Sequence, residues 1–408
     1  MSWERVKLGD IADFSNGINF GKNAYGKGIK LIGVSNFGDR FFPEYESLEE
    51  VKEEVVRKND YLISGDMIFV RSNGNKELVG RCMLVDCPLN PVTYSGFCIR
   101  ARLKDISKHY PPFWTYHFKN VSFRKAMSGT AIGTNIQNLS QGRLSTYEAV
   151  VPDFPSQVRI ANILSSYDYL IENNKKQIKL LEEAAQRLYK EWFVDLHFPG
   201  YGTAEVIDGV PEGWKRTNIG EFLHVRSGYA FKSSWWQDAG YPVVKIKNIV
   251  NNTIDTSNID YVSPEYTQKI PEFKLHKGDI VIAMTGATIG KIGLIPEVQN
   301  LYTNQRVGKV FYNKELTNPT PFVFCYYSQK CVLDQIIALS SSSSAQPNIS
   351  GEQLESFEII ANIETINKFG QVMQPVFDTI ICLYKQIQLL IEARNRLLPK
   401  LMSGEIEV

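Results

Sequence analysis

Side chains able to read nucleobases gather in loops that follow apolar runs. Arg71-Ser72-Asn73-Gly74-Asn75-Lys76 comes directly after Asp66-Met-Ile-Phe-Val70, and Thr285-Gly286-Ala287-Thr288, ending at Lys291, follows Asp279-Ile-Val-Ile-Ala283. Arginine, lysine, asparagine, glutamine, serine and threonine carry donors and acceptors that match base edges, while lysine, arginine and backbone amides suit phosphates. A second pair of polar stretches holds Thr130, Thr134 and Asn135 in the first half, and Ser342, Ser343, Gln346 and Asn348 in the second. Small residues there let a backbone approach a phosphate closely, although the serine run also fits a floppy linker. Ser35 and Asn36, with Lys245, Lys247 and Asn248, form a third pair at strand ends. These residues are the candidate DNA contacts.

Catalytic chemistry finds little support. Tyr110-Pro-Pro-Phe113 has the outline of an amino-methyltransferase motif. Tyrosine, however, cannot supply the amide or carboxylate that accepts from a target amine. Gly286-Ala-Thr-Ile-Gly290-Lys291 is one residue short of a phosphate loop, and Ile292 stands where a magnesium-binding Ser or Thr is needed, so a turn between strands is expected. The histidines (His109, His117, His197, His224, His276) show no ligand spacing, and no metal site or bound cofactor is expected. Glu49-Glu50-Val-Lys-Glu53-Glu54 reads as a solvated helix face rather than a carboxylate pair.

Bulk properties set the frame. A chain of 408 residues with 22% charged residues can build two domains, each with its own core. The cysteines lack paired CxxC spacing, as expected of reduced thiols in a cytoplasmic protein. No apolar run is long enough to span a membrane, and the N-terminus lacks a secretory pattern. A net charge of +1 neither supports nor excludes DNA binding, because local basic loops can be offset by an acidic helix face.

The elements that must position these loops come as a repeat. Trp3, Gly9 and Gly17 align with Trp214, Gly220 and Gly228 at a single offset of 211 residues. Gly65-Asp66 matches Gly278-Asp279, Pro112-Phe113 matches Pro321-Phe322, and Asn135-Ile136 matches Asn348-Ile349, all in order. Each half opens with short Val-, Ile-, Phe- and Tyr-rich runs between turn residues, the pattern of strands, with a short helix near Pro112–Lys119.

Each half then closes on a long helix. Apolar positions at Ile160, Leu164, Tyr167, Ile171, Ile178, Leu181, Ala185, Leu188 and Trp192 alternate spacings of four and three, with Asn174 as the polar interruption. Ile366, Phe369, Met373, Val376, Ile380, Leu383, Ile387, Leu390, Arg394, Leu397 and Leu401 repeat the seam. Pro375 should kink this second segment or begin its main helix, and Pro155 and Gly404 should act as boundaries. Two such seams should pair antiparallel. A helix of roughly thirty residues is about 45 Å long, on the order of one turn of B-DNA, and would serve as a ruler between two readers.

The duplicated order closely resembles the specificity subunit of a type I restriction–modification system over essentially the whole length. The Trp-x-x-x-x-Leu/Ile-Gly-Asp/Glu openings, the two Gly-Asp pairs, Arg159-Ile-Ala-Asn-Ile-Leu-Ser-Ser-Tyr-Asp168 and Leu397-Leu-Pro-Lys-Leu-Met-Ser-Gly404 carry the resemblance. It implies an α+β fold of two tandem β-rich target-recognition domains separated by an antiparallel pair of long coiled-coil helices, in a pseudo-twofold internal repeat. The expected segments are 1–155 and 198–361 for the domains, and 156–197 and 362–408 for the spacer helices. It also implies a non-catalytic subunit that reads a bipartite double-stranded DNA target and docks two methyltransferase subunits and restriction/translocase subunits. S-adenosylmethionine, ATP and magnesium would reside on those partners. The rival reading, favoured by the near-zero charge, is a bivalent coiled-coil scaffold without DNA binding.

Overall fold

The computed structural model describes residues 3–38, 40–73, 78–86, 88, 90–128, 137–340 and 347–408. The chain divides into two compact units, Met1–Ile171 with Leu390–Val408, and Glu172–Leu389. Both are mixed α and β, and the strand order repeats between them.

In the first unit, an antiparallel sheet runs Ala12–Asn16, Cys98–Leu103, Met67–Val70, Cys82–Leu84. In the second, Leu223–Ser227, Val307–Tyr312, Ile280–Ala283 and Ile292–Leu294 take the same order and sense, with two further short strands at the end. Met67-Ile-Phe-Val70 and Ile280-Val-Ile-Ala283 are buried on every residue, which explains their continuous rather than alternating apolar pattern. A neighbouring sheet in each unit contains one parallel pairing, Lys30–Ile32 with Val92–Tyr94 and Val243–Val244 with Tyr302–Thr303. The opening strand of each half is tied to its last: Trp3 pairs with Pro152, and Lys215 with Ala361.

The Gly-Asp pairs turn the chain into the central strands. Gly65 and Gly278 have φ of +93° and +86°, a region open to glycine. The following carboxylates then cap their turns, Asp66 accepting from Ile63 N at 2.8 Å and Asp279 from His276 N at 2.8 Å. Fully buried Asp66 is held by Arg102 through both carboxylate oxygens at 2.7 Å, and Asp279 by Lys309 at 2.9 Å. The acidic run at 49–54 corrects its expectation. Glu49–Val51 is a strand beside Tyr25–Ile32, and Glu53–Val55 only a single 3-10 turn. Glu50 accepts from Gly28 N at 2.8 Å and pairs with Lys30, which holds its carboxyl below the usual range.

The two long helices span Phe154–Tyr189 and Ile363–Ser403. The first continues through a π-helical turn, Lys190–Val194. Pro155 lies inside the first turn rather than ahead of it, where its missing N–H costs nothing. Gly404 ends the second helix at φ +76°, as expected of a left-handed cap. Pro375 does not begin a helix; it sits within one. Both Pro375 and Gln371, whose carbonyl loses its helical N–H partner, are exposed. Gly370 is needed because a Cβ there would lie 2.4 Å from the Asn318 carbonyl.

Each unit contains part of both helices, and within each unit they run antiparallel. In the second, Asn174 donates to Gln386 Oε1 at 3.1 Å and Tyr384 donates to Glu182 at 2.9 Å, while Tyr189 and Trp192 pack on Phe369. In the first, the seam has a charged centre. Arg394, 6% exposed, pairs with Asp168, 3% exposed, and Tyr116 donates its hydroxyl to the same carboxylate. Burial, and then the Asp168 charge, pushes the Tyr116 hydroxyl well above its ordinary value. This corrects the heptad reading. Tyr167 is only half-buried, because a buried guanidinium at 394 needs a carboxylate opposite and turns Asp168 inward. Asp168→Ala should destabilise the first unit by about 3–5 kcal/mol in denaturant unfolding, and adding Arg394→Met should recover most of that loss. A loss of under about 1 kcal/mol would mean that the pair behaves as a surface salt bridge.

Candidate nucleic-acid interface

In the first unit, an open cleft of about 610 Å³ is lined by residues 18–20, 33–36, 71–72 and 95–97, together with Tyr25, Leu31, Glu49 and Asn138. The tight turn Ser95-Gly96-Phe97 stands at the junction. Its backbone is tied on every side. Ser95 N donates to Ile32 O at 3.0 Å, Gly96 N to Ile18 O at 2.7 Å, and Arg71 N to Phe97 O at 2.8 Å. Leu139 N then donates to Arg71 O at 2.9 Å, and Gln137–Asn138 pairs with Ser72–Asn73.

The second unit builds the same junction. Asn304 N donates to Val244 O at 3.0 Å, Gln305 N to Tyr229 O at 2.9 Å, and Met284 N to Arg306 O at 3.0 Å. Ile349 N donates to Met284 O at 3.0 Å, and Thr285 bridges Asn348. One glycine in each half permits the approach. A Cβ on Gly17 would lie 2.4 Å from Tyr94 O and 2.3 Å from Ser95 O; one on Gly228 would lie 2.5 Å from both Thr303 O and Asn304 O. Glycine is therefore obligatory at these aligned positions.

The candidate residues divide by the work their side chains already do. Ser35, at the cleft, and Lys291 are exposed. Asn36 is half-buried and accepts from Gly33 N at 2.7 Å. Arg71 is half-buried and donates to Gly96 O at 3.2 Å, while Ser72 and Asn73 form the short strand beside it. Lys245 and Lys247 share Asp260, at 3.1 and 2.8 Å, and Lys245 Nζ also lies 3.6 Å from the centre of the Trp236 ring. Burial raises the Asp260 carboxyl, but hydrogen bonds from Lys247 and Lys245 outweigh it and leave the group below its usual value.

Asn248 is a correction. It is 3% exposed, caps Lys245 N at 2.9 Å, and donates to Asp255 O and Asn258 O. Its amide is consumed in holding the loop. The hydroxyl oxygens of Thr285 and Thr288 are likewise buried, at the N-cap and the last residue of the 3-10 turn Gly286–Thr288 that joins two strands. Asn348 is exposed at the bridge with Thr285. Asn75, Lys76, Thr130, Thr134, Asn135, Ser342, Ser343 and Gln346 lie outside the described residues.

Sequence reasoning missed the turn itself. Val92-Thr-Tyr-Ser-Gly-Phe-Cys98 and Leu301-Tyr-Thr-Asn-Gln-Arg-Val307 occupy matching places between apolar strands, but share almost no residue types. The available signal was an apolar residue, Phe97, that proves 59% exposed.

A duplicated backbone junction, furnished with different side chains, is the frame of a recognition protein with two similar domains. The model of the type I restriction modification DNA specificity domain matches residues 1–183 and again 211–392, and the chain belongs to that family. It is 28% identical to the type I restriction enzyme MjaIX specificity subunit of Methanocaldococcus jannaschii over 302 residues, which cover 72% of this chain and 68% of that one. It is 24% identical to the MjaVIII specificity subunit of the same organism over 420 residues, covering 100% and 93% of the two chains. The fold is similar to that of a type I restriction–modification S subunit from M. genitalium, with a TM-score of 0.58, 17% identity, and 98% and 96% of the two chains covered.

Replacing Asn248 with Ala should destabilise the second unit by roughly 1–3 kcal/mol in denaturant unfolding, without changing the DNA sequence selected. A relaxed sequence preference at unchanged stability would return Asn248 to the interface.

Proposed function

We propose that this chain reads a bipartite double-stranded DNA target within a type I restriction–modification complex, one half-site per unit. The observation that carries this reading is the paired junction: the same backbone bonds hold Ser95-Gly96-Phe97 in one unit and Asn304-Gln305-Arg306 in the other. Equal frameworks with unequal side chains suit two different half-sites. Membership of the DNA specificity family favours this over a bivalent scaffold, which the net charge of +1 had left open.

In this reading the chain supplies recognition and two methyltransferase subunits supply the chemistry. S-adenosylmethionine belongs to those partners, and ATP and magnesium to the restriction/translocase subunits. The complex acts in the cytoplasm. No described helix is long and apolar enough to cross a membrane.

Phosphate contact makes affinity fall with salt, by about 10³–10⁵ between 50 and 200 mM for a protein touching 6–10 phosphates. Co-produced with its methyltransferase partners, the chain should show such a fall on duplex DNA, and methylome sequencing of the host should find a split motif. Salt-insensitive binding, or a contiguous motif, would overturn the proposal.

A further inference from the structure

The turn at each junction carries a chemical asymmetry that the shared backbone makes legible. In the first unit its middle residue is Gly96, and a Cβ built there would lie 2.0 Å from Asn19 Oδ1. The Asn19 carboxamide fills the place a side chain on residue 96 would take. In the second unit the middle residue is Gln305. Gly17 and Gly228 occupy the same place in the two junctions, so the position equivalent to Asn19 is Ala230, which carries no amide. At this middle position the carboxamide comes from the facing segment in the first unit, as Asn19, and from the turn itself in the second, as Gln305, which follows the half-buried Asn304. Asn19, Gln305 and Ala230 are all exposed.

The next residue differs as well. Phe97 is 59% exposed beside a cleft lined by Ser35, Asn36 and Arg71, so its ring is open to an apolar group entering that cleft. Its counterpart Arg306 is an exposed guanidinium. Backbone bonds from Arg71 N and Met284 N fix both residues at the same point of their junctions.

We infer that these four side chains read bases, Asn19 with Phe97 in one half-site and Gln305 with Arg306 in the other. The inference rests on the DNA-reading role proposed above. A carboxamide forms two hydrogen bonds to adenine N6 and N7, a guanidinium forms two to guanine O6 and N7, and an apolar ring packs on the thymine methyl. The first unit's half-site then contains an adenine and a thymine at neighbouring positions, and the second unit's an adenine and a guanine. Because the peptide bonds carry the framework, the tips can change without disturbing the fold.

The test uses the full chain in complex with its methyltransferase subunits, carrying Arg306→Ala, Gln305→Ala, Asn19→Ala or Phe97→Ala. Methylome sequencing reads the motif, and salt titration of duplex binding reads the phosphate contacts. Arg306→Ala should lose about 5- to 150-fold of discrimination for guanine at one position of one half-site, with the salt slope unchanged. Gln305→Ala should relax adenine in that same half-site, while Asn19→Ala and Phe97→Ala should act only on the other. An unchanged motif in all four variants overturns the inference. So does a uniform loss of affinity with a salt slope smaller by about one, which marks Arg306 as a phosphate contact. Loss of the thermal unfolding transition in the variants would assign the tips to the fold and overturn it equally. A wild-type complex that methylates no split motif contradicts the DNA-reading role itself, and is thereby distinguished from a failure confined to the tips.

Discussion

Backbone meeting backbone without room for a Cβ is the constraint on which each unit depends. At Gly17 and Gly228 the chain passes so close to the turn opposite that any side chain would strike two carbonyl oxygens. That approach lets Gly96 N and Gln305 N reach the carbonyls of Ile18 and Tyr229, and fixes the turn against a strand end and the segment after the central strand. The frame consists of peptide groups, so it tolerates replacement of the side chains it displays. A recognition surface that must diversify while its fold persists needs this division of labour.

Polar groups elsewhere in the core hold the elements that carry the junction. Asp66 and Asp279 cap the entry to the central strands and find different cations, Arg102 and Lys309. Asp168, Arg394 and Tyr116 place a charged group where the helix seam of the first unit meets its short helix Pro111–Lys119, and the second unit places the milder pair Asn174 and Gln386 in its seam. Buried charge of this kind adds little net stability, yet removing one partner is costly, so such contacts fix which faces meet. The two units share strand order but are not stabilised by the same polar contacts.

Much of this architecture was legible because duplication exposes what a single copy hides. The Gly and Gly-Asp positions aligned across the halves are those where the structure finds a close approach or a positive φ, requirements that leave few residue types. The long seams were legible from periodicity alone. Asp168 was not, since a heptad pattern counts apolar residues and a buried ion pair breaks the count. Asn248 was misread for a related reason: composition marks an asparagine as a possible contact, and only coordinates reveal that its three bonds stay inside the loop. The turn at 95–97 and 304–306 escaped because a diversified tip leaves no common residue types to align, and the rigidity that makes it useful lies in peptide groups that every sequence has.

The central claim is that each unit reads its own half-site on a self-contained frame. Exchanging residues 1–155 for the corresponding domain of a related specificity subunit, in the complete methyltransferase complex, tests it most directly. Methylome sequencing should then show one half-site replaced by the donor's and the other unaltered. A motif changed in both halves, or in neither, would contradict the account.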